Sequence, residues 1–303
     1  MNILLTGGSG FIGRNLIELL GKKYSIFAPS YKELELLDAG AVKDYIKSHK
    51  IDSIIHAANR GGGRDTKDMT NVVEYNMRMF FNIARNSGFV KKIIHLGSGA
   101  EYGKQRELIR VKESDFDSYI PKDNYGFAKY ICSKYIKKSD NIMNLRLFGV
   151  YGKYENYRYK FISNTIVKNL FSLPININQN VYFDYLYIDD LIKIIEYFIN
   201  NESRYKIYNC TKGTTIDLIS LANIINEISN EPSEVLIRNK GLNKEYSGDN
   251  KRLSGELREF IFTDHRVAIT LLYNYYKDIM NTIDRKTIEK DEYIKYCKMD
   301  ENV

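Results

Sequence analysis

Residues 124–129 read Asn-Tyr-Gly-Phe-Ala-Lys, so Tyr125 and Lys129 stand four apart and share one face of a helix. A phenol can hand its proton to an alkoxide, such as the one left when a carbonyl is reduced. Near neutrality this requires its pKa to drop from about 10. A lysine ammonium one helical turn away favours the phenolate and pushes in that direction. The spacing alone is weak in a chain with 25 tyrosines, and an ordinary amphipathic helix produces it too. Its surroundings add weight. After the apolar run 92–96 comes Gly97-Ser98-Gly99-Ala100-Glu101-Tyr102-Gly103. Ser98 therefore ends a strand, where open α/β sheets place their ligands. A hydroxyl there can bond a substrate oxygen beside the Tyr125 phenol.

Residues 2–13 read Asn-Ile-Leu-Leu-Thr-Gly-Gly-Ser-Gly-Phe-Ile-Gly. Gly7, Gly10 and Gly13 form G-x-x-G-x-x-G between a strand and a helix, the order a dinucleotide requires. The three glycines serve a tight turn, a close backbone approach to pyrophosphate, and helix–strand packing. Phe11 and Ile12 open the helix, where free amides point at the phosphates. A bound oxidised nicotinamide ring would add its positive charge to that of Lys129 in favouring the Tyr125 phenolate.

These residues need a scaffold. Apolar runs at 2–6, 24–28, 53–57, 92–96 and 144–148 alternate with helical patterns at 12–20, 41–50, 71–87 and 125–138. Strands apolar on both faces and separated by helices predict an α/β fold, a doubly wound parallel sheet of Rossmann type. Beyond 151 the rhythm changes: helices at 161–171 and 190–200, then strand-like pieces at 206–210 and 234–238, predict a smaller mixed α/β lobe. The expected division is a dinucleotide domain of 1–152 with about 181–203, and a substrate lobe of about 153–180 and 204–284. The charged, aperiodic segment 285–303 is expected to be a frayed tail.

A chain of 303 residues, 44% of them apolar, can bury a full core. Its net charge of +7 suits an acidic ligand such as a dinucleotide or sugar nucleotide, and it is equally a matter of Lys-rich composition. No arginine-rich arm or block of like charges points to nucleic acid. Cys132, Cys210 and Cys297 are far apart and form no metal or disulfide pattern, so reduced thiols and a cytoplasmic setting are expected. The N-terminal apolar run is too short for a signal peptide, and no stretch of about 18 apolar residues suits a membrane span.

Together these residues resemble the extended short-chain dehydrogenase/reductases, the NAD-dependent epimerase/dehydratase family. Further matches are Ile54-Ile55-His56-Ala57-Ala58, Asn76 on the next helix, the stretch Arg146-Leu147-Phe148-Gly149-Val150-Tyr151-Gly152, and Tyr185-Leu186-Tyr187-Ile188-Asp189-Asp190. The resemblance covers residues 1 to about 200 well and the remainder loosely. It implies that Ser98, Tyr125 and Lys129 are a catalytic triad, with Lys129 also on the nicotinamide ribose. It places Asp38 near the adenine, and Ala57, Ala58 and Asn76 along the cofactor. It further implies a homodimer built on a four-helix bundle of helices 72–84 and 125–138. Tyr75, Met77, Met79, Phe80, Phe81, Tyr130 and Tyr135 would serve that interface or simply pack on the sheet.

Within the family the chain is most similar to the GDP-L-fucose synthase and dTDP-4-dehydrorhamnose reductase branch. Fucose synthases carry an epimerisation cysteine where this chain has Ala100, and its partner histidine falls near Lys160. Dehydratases carry Asp-Glu where this chain has Gly99 and Ala100. Phe183 stands where many members place a diphosphate-binding arginine. Lys168 and Arg252 are the substitute phosphate contacts, each reading equally as a plain surface cation. Substrate contacts are thus expected at Ser98, Gly99, Ala100, Lys160, Lys168 and Arg252.

The second strand runs into Pro29-Ser30-Tyr31-Lys32 with no carboxylate before Glu33. An acidic residue there would hold the ribose of NAD. Arg14, Ser30 and Lys32 suit a 2′-phosphate instead, or are surface groups. The expectation is NADPH, with NAD(H) as the alternative. It follows that the expected function is NADPH-dependent reduction of a nucleotide-linked 4-keto-6-deoxy sugar. A 4-epimerase that retains NAD and a non-catalytic dinucleotide-binding sensor are the rival readings.

Overall fold

A computed structural model describes residues 1–63, 66 and 69–298. The chain begins β1 (Asn2–Thr6), α1 (Phe11–Leu20), β2 (Ser25–Phe27), α2 (Ala39–Ser48), β3 (Ser53–His56), α3 (Val72–Ala84), β4 (Lys92–Ser98). It continues β5 (Leu108–Val111), α4 (Asn124–Ile136), β6 (Ile142–Leu147), β7 (Gly149–Tyr151), α5 (Phe161–Leu170), β8 (Ile175–Asn180), β9 (Tyr182–Phe183), β10 (Tyr185–Tyr187), α6 (Ile188–Asn200). Then come β11 (Ile207–Cys210), β12 (Ile216–Asp217), α7 (Leu218–Ile228), β13 (Val235–Leu242), β14 (Tyr246–Gly248), α8 (Lys251–Leu257) and α9 (His265–Asp278). Two short helices follow, α10 (Arg285–Glu289) and α11 (Glu292–Lys298).

Six strands form one parallel sheet in the order β11-β6-β4-β3-β1-β2. The period of two along each strand feeds two cores. Ile3 and Leu5 pack with Leu16 of α1 and Leu191 of α6, whereas Leu4 packs with Val42 of α2, Phe80 of α3 and Ile136 of α4. Both faces are thus covered, and burying a Leu or Ile side chain contributes roughly 1.5–3 kcal/mol. After β2 the chain reverses direction across the sheet and adds β3 on the other edge of β1. That switch opens a crevice at the carboxyl ends of β1 and β3.

The second lobe holds the four-stranded sheet β12-β9-β14-β5, the pair β13-β8, and helices α5, α7 and α9. Three expectations change. β5 and β9, from the stretches 1–152 and 181–203 expected in the dinucleotide domain, pair with β14 in the second lobe's sheet. The segment 206–210 joins the main sheet, because β11 pairs in parallel with β6. The segment after 284 is no frayed tail as far as Lys298: Asp284 caps α10, and Ile288, Tyr293 and Ile294 are buried in the main core. Residues 299–303 lie outside the described residues. Among the described residues, no helix is long and apolar enough to cross a membrane, and no group of three His, Cys, Asp or Glu could hold a metal ion.

Candidate active site

The glycine loop sits over the crevice. Gly7 has φ +76, and a Cβ there would lie 2.7 Å from Ala58 N, so loop and β3 turn are in direct contact. A Cβ on Gly13 would lie 2.7 Å from the Gly8 Cα, which is how α1 starts so close to β1. Gly10 caps α1 without a side chain, and no acidic residue occupies the first turn. The amides of Phe11, Ile12 and Gly13 therefore end the helix with no intrahelical acceptor. A Cβ on Gly10 would meet only the Gly7 carbonyl oxygen, at 3.4 Å, so the loop leaves room for a pyrophosphate in front of a positive helix end. The residues present fit a dinucleotide.

Neighbouring groups hold this cradle. Thr6 Oγ1 accepts the Ala58 N–H at 3.2 Å and bonds His56 Nδ1 at 2.8 Å. Asn76 is buried on α3 and brackets Arg60, accepting its N–H and donating to its carbonyl, both at 2.8 Å. Asn76 thus fixes the chain that follows Ala57 and Ala58.

At the far end, Asp38 accepts the N–H groups of Gly40 and Ala41 at 2.8 and 3.0 Å, so its carboxylate is committed to capping α2. The Arg14 guanidinium lies 3.7 Å over the Tyr154 ring. Ser30 and Lys32 are exposed. Glu33, beyond the strand in sequence, folds back so that its Oε2 accepts the Ser30 N–H at 2.7 Å. A carboxylate does reach the end of β2, by a turn the sequence pattern does not reveal.

Ser98 is the last residue of β4 and caps the short turn behind it. Its hydroxyl accepts the Ala100 N–H at 3.1 Å, and its own N–H goes to Glu101 Oε1 at 3.0 Å. Glu101 is wholly buried and takes Arg146 Nε at 2.6 Å; Arg146 in turn reaches the Tyr102 hydroxyl at 2.7 Å and Ser133 Oγ at 2.8 Å. This network sets the serine in place from behind. Ala100 is fully buried in the same turn, and Gly99 lies under Phe148 and Tyr246.

Tyr125 and Lys129 extend from α4, which Asp123 caps by accepting the Gly126 N–H at 2.8 Å. Lys129 is buried, donates to the Leu96 carbonyl at 2.7 Å, and stands 5.9 Å from the centre of the Tyr125 ring. The structure thus brings Ser98, Tyr125 and Lys129 together. Burial pushes the Tyr125 phenol up to about 12; contact with the Ser98 hydroxyl lowers it, while Glu101 and Asp123 raise it. Burial also lowers the Lys129 pKa. Desolvation therefore outweighs the effect the sequence suggests, and the expected drop is not found; the phenol keeps its proton at neutral pH, which still suits a donor to an alkoxide, the stronger base.

Two features here escape the sequence reading. Gly62, with φ +87, lays its backbone on Tyr125: a Cβ would come 2.7 Å from the ring. The run Gly61-Gly62-Gly63 is the signal that could have found it. Lys104 is exposed, and its ammonium lies 5.8 Å from the centre of the Tyr125 ring.

Of the expected substrate contacts, Lys160 is exposed at the N-cap of α5. Lys168 is neither solvated nor free: it is 2% exposed and pairs with Asp291 at 2.6 Å. Arg252 faces Glu113 at 3.6 Å and stacks over Tyr205 at 4.6 Å, lining a cleft of about 740 Å³ beside α8. Tyr205 precedes β11 at the amino-terminal edge of the sheet, opposite the end that carries Ser98, so the structure does not bring Arg252 to the triad.

Comparison with known proteins agrees with this geometry. GDP-L-colitose synthase from Yersinia pseudotuberculosis is 29% identical over 225 residues, covering 66% of this chain and 73% of that protein. The NADP-bound GDP-mannoheptose C4 reductase from Campylobacter jejuni superposes with a TM-score of 0.77 at 20% identity, covering 91% of this chain and 98% of the other. UDP-glucose 4-epimerase from Thermotoga maritima superposes at 0.78 with 18% identity, covering 92% and 100%. Residues 3–211 match the family described as NAD dependent epimerase/dehydratase, and with its glycine cradle and Ser-Tyr-Lys cluster the chain belongs to that family.

Proposed function

We propose that the protein is an NADPH-dependent reductase of a nucleotide-linked 4-keto-6-deoxy sugar, acting in the cytoplasm as a homodimer. The observation that carries this reading is the convergence of Ser98, Tyr125 and buried Lys129 on the end of the sheet that holds the glycine loop. Bound NADPH supplies the hydride to carbon 4 of the sugar. The Tyr125 phenol, protonated at neutral pH, gives the proton to the resulting alkoxide. Ser98 bonds the same oxygen and orients it. Lys129, anchored on the Leu96 carbonyl, holds the nicotinamide ribose, and the first amides of α1 face the pyrophosphate. Exposed Lys104 and Lys160 supply positive charge for the diphosphate of the substrate. The similarity to GDP-L-colitose synthase supports a nucleotide-sugar substrate. For the dimer, α3 and α4 pack together, and Tyr135 remains 41% exposed on their outer side while Phe80 and Tyr130 are buried.

One observation favours a second reading, a 4-epimerase that retains NAD. The Glu33 carboxylate at the end of β2 stands where a ribose acceptor would. One experiment separates the two. The purified protein is scanned for bound nicotinamide and then mixed with NADPH and a panel of GDP-, dTDP-, CDP- and UDP-linked 4-keto-6-deoxy sugars. The reductase reading expects a cofactor-free protein and stoichiometric NADPH oxidation with one of them. Tightly held NAD with no NADPH consumption would establish the epimerase instead.

A further inference from the structure

The second lobe sends another phenol to Ser98. Tyr246 lies in β14, in register with Leu108 of β5 and Phe183 of β9, and its carbonyl accepts the Asp184 N–H at 3.3 Å. Its ring packs 5.1 Å from Phe148 and 6.2 Å from Phe183, centre to centre. Its hydroxyl abuts the residue after the serine: a Cβ on Gly99 would be 2.6 Å from it. The Ser98 hydroxyl is near enough to Tyr125 and to Tyr246 to lower the pKa of each phenol against the effect of burial.

A serine hydroxyl has one proton and two lone pairs. The Ala100 N–H takes one lone pair at 3.1 Å. The Ser98 proton cannot serve both phenols. Tyr246 takes no part in the proton transfer, and its hydroxyl is held against Gly99 by the packing of its ring on Phe148 and Phe183, so it can donate to the second lone pair while Tyr125 faces the substrate. The serine proton is then left facing Tyr125 and the substrate oxygen. We propose that Tyr246 is a positioning residue that donates to Ser98 Oγ and thereby holds the single Ser98 proton on the reacting side. This deepens, and rests on, the reductase reading given above. It also ties a second-lobe strand to the chemistry, so the placement of β14 sets the orientation of a hydroxyl on β4.

The test is a double-substitution cycle with two readouts. Tyr246→Phe keeps the ring packing and removes only the hydroxyl; Ser98→Ala and the double variant complete the cycle. The Tyr125 titration is followed by NMR of ¹³Cζ-tyrosine-labelled protein with NADP⁺, its signal assigned by its loss in Tyr125→Phe. Hydride transfer is followed by NADPH oxidation with the 4-keto sugar nucleotide that turns over. Tyr246→Phe is expected to move the Tyr125 midpoint upward and to slow hydride transfer about tenfold. In the Ser98→Ala background it is expected to change neither. Gly99→Ala, which crowds the hydroxyl aside without removing it, is expected to shift the midpoint in the same direction. Equal effects of Tyr246→Phe with and without Ser98, or no shift in the midpoint, would overturn the proposal. Unimpaired turnover of Tyr125→Phe would instead overturn the underlying reductase reading, so the two failures are distinguishable.

Discussion

Glu101 and Arg146 form an ion pair of 2.6 Å with both side chains wholly buried, and the same carboxylate accepts the backbone N–H of Ser98. The serine's position is therefore fixed by a charge pair in the core. Asn144, Tyr102 and Ser133 complete its hydrogen bonds.

Removing one charge leaves the other uncompensated in a low-dielectric interior. Glu101→Gln is expected to destabilise the protein by about 3–5 kcal/mol. Urea unfolding measures this directly. A loss under about 1 kcal/mol would mean that the pair is not sealed from water as the structure has it.

Glu155 gives a pH signature. Burial lifts its carboxyl from 4.5 to about 7, against the opposing effects of Lys160 and Ser163. The unfolded chain releases that proton near 4.5, so it holds fewer protons than the folded state between pH 4.5 and 7. The stability from this group is complete below the lower value and is lost as pH rises through the upper one. Glu155→Gln does not titrate. The difference in unfolding free energy between wild type and variant should change by on the order of 3 kcal/mol across that window, the wild type losing ground as pH rises. Parallel pH profiles would contradict the assignment.

Lys168 and Asp291 join α5 to the segment between α10 and α11. Asp291→Asn strands a buried ammonium while preserving the backbone, since asparagine tolerates the φ of +48 found there. The expected cost is about 3 kcal/mol in urea unfolding, with earlier proteolysis after residue 284. An unchanged midpoint would return this segment to the loose tail that its charge pattern suggests.

What the sequence reveals here is whatever lies within one element. Gly7, Gly10 and Gly13 sit in a single strand–loop–helix unit, and Tyr125 and Lys129 on one helix, so spacing alone exposes them. Glu101 and Arg146 lie 45 residues apart and meet only because β4 and β6 are neighbours in the sheet. Lys168 finds its partner 123 residues away, and Tyr246 is one tyrosine among 25 until β14 places it beside Gly99. The terminal helices hid for a similar reason: their few apolar residues, Ile288, Tyr293 and Ile294, are sparse among charges, yet all are buried. The direction of the Tyr125 shift also needed the structure, because burial, which local spacing does not report, dominates it.

The central claim is that Tyr125 delivers the proton in a carbonyl reduction. The direct measurement is single-turnover NADPH oxidation by Tyr125→Phe with a 4-keto sugar nucleotide that the wild type reduces, alongside NADPH binding by fluorescence. Hydride transfer is expected to slow by about two to four orders of magnitude with cofactor affinity nearly unchanged. Hydride transfer at the wild-type rate would contradict that claim.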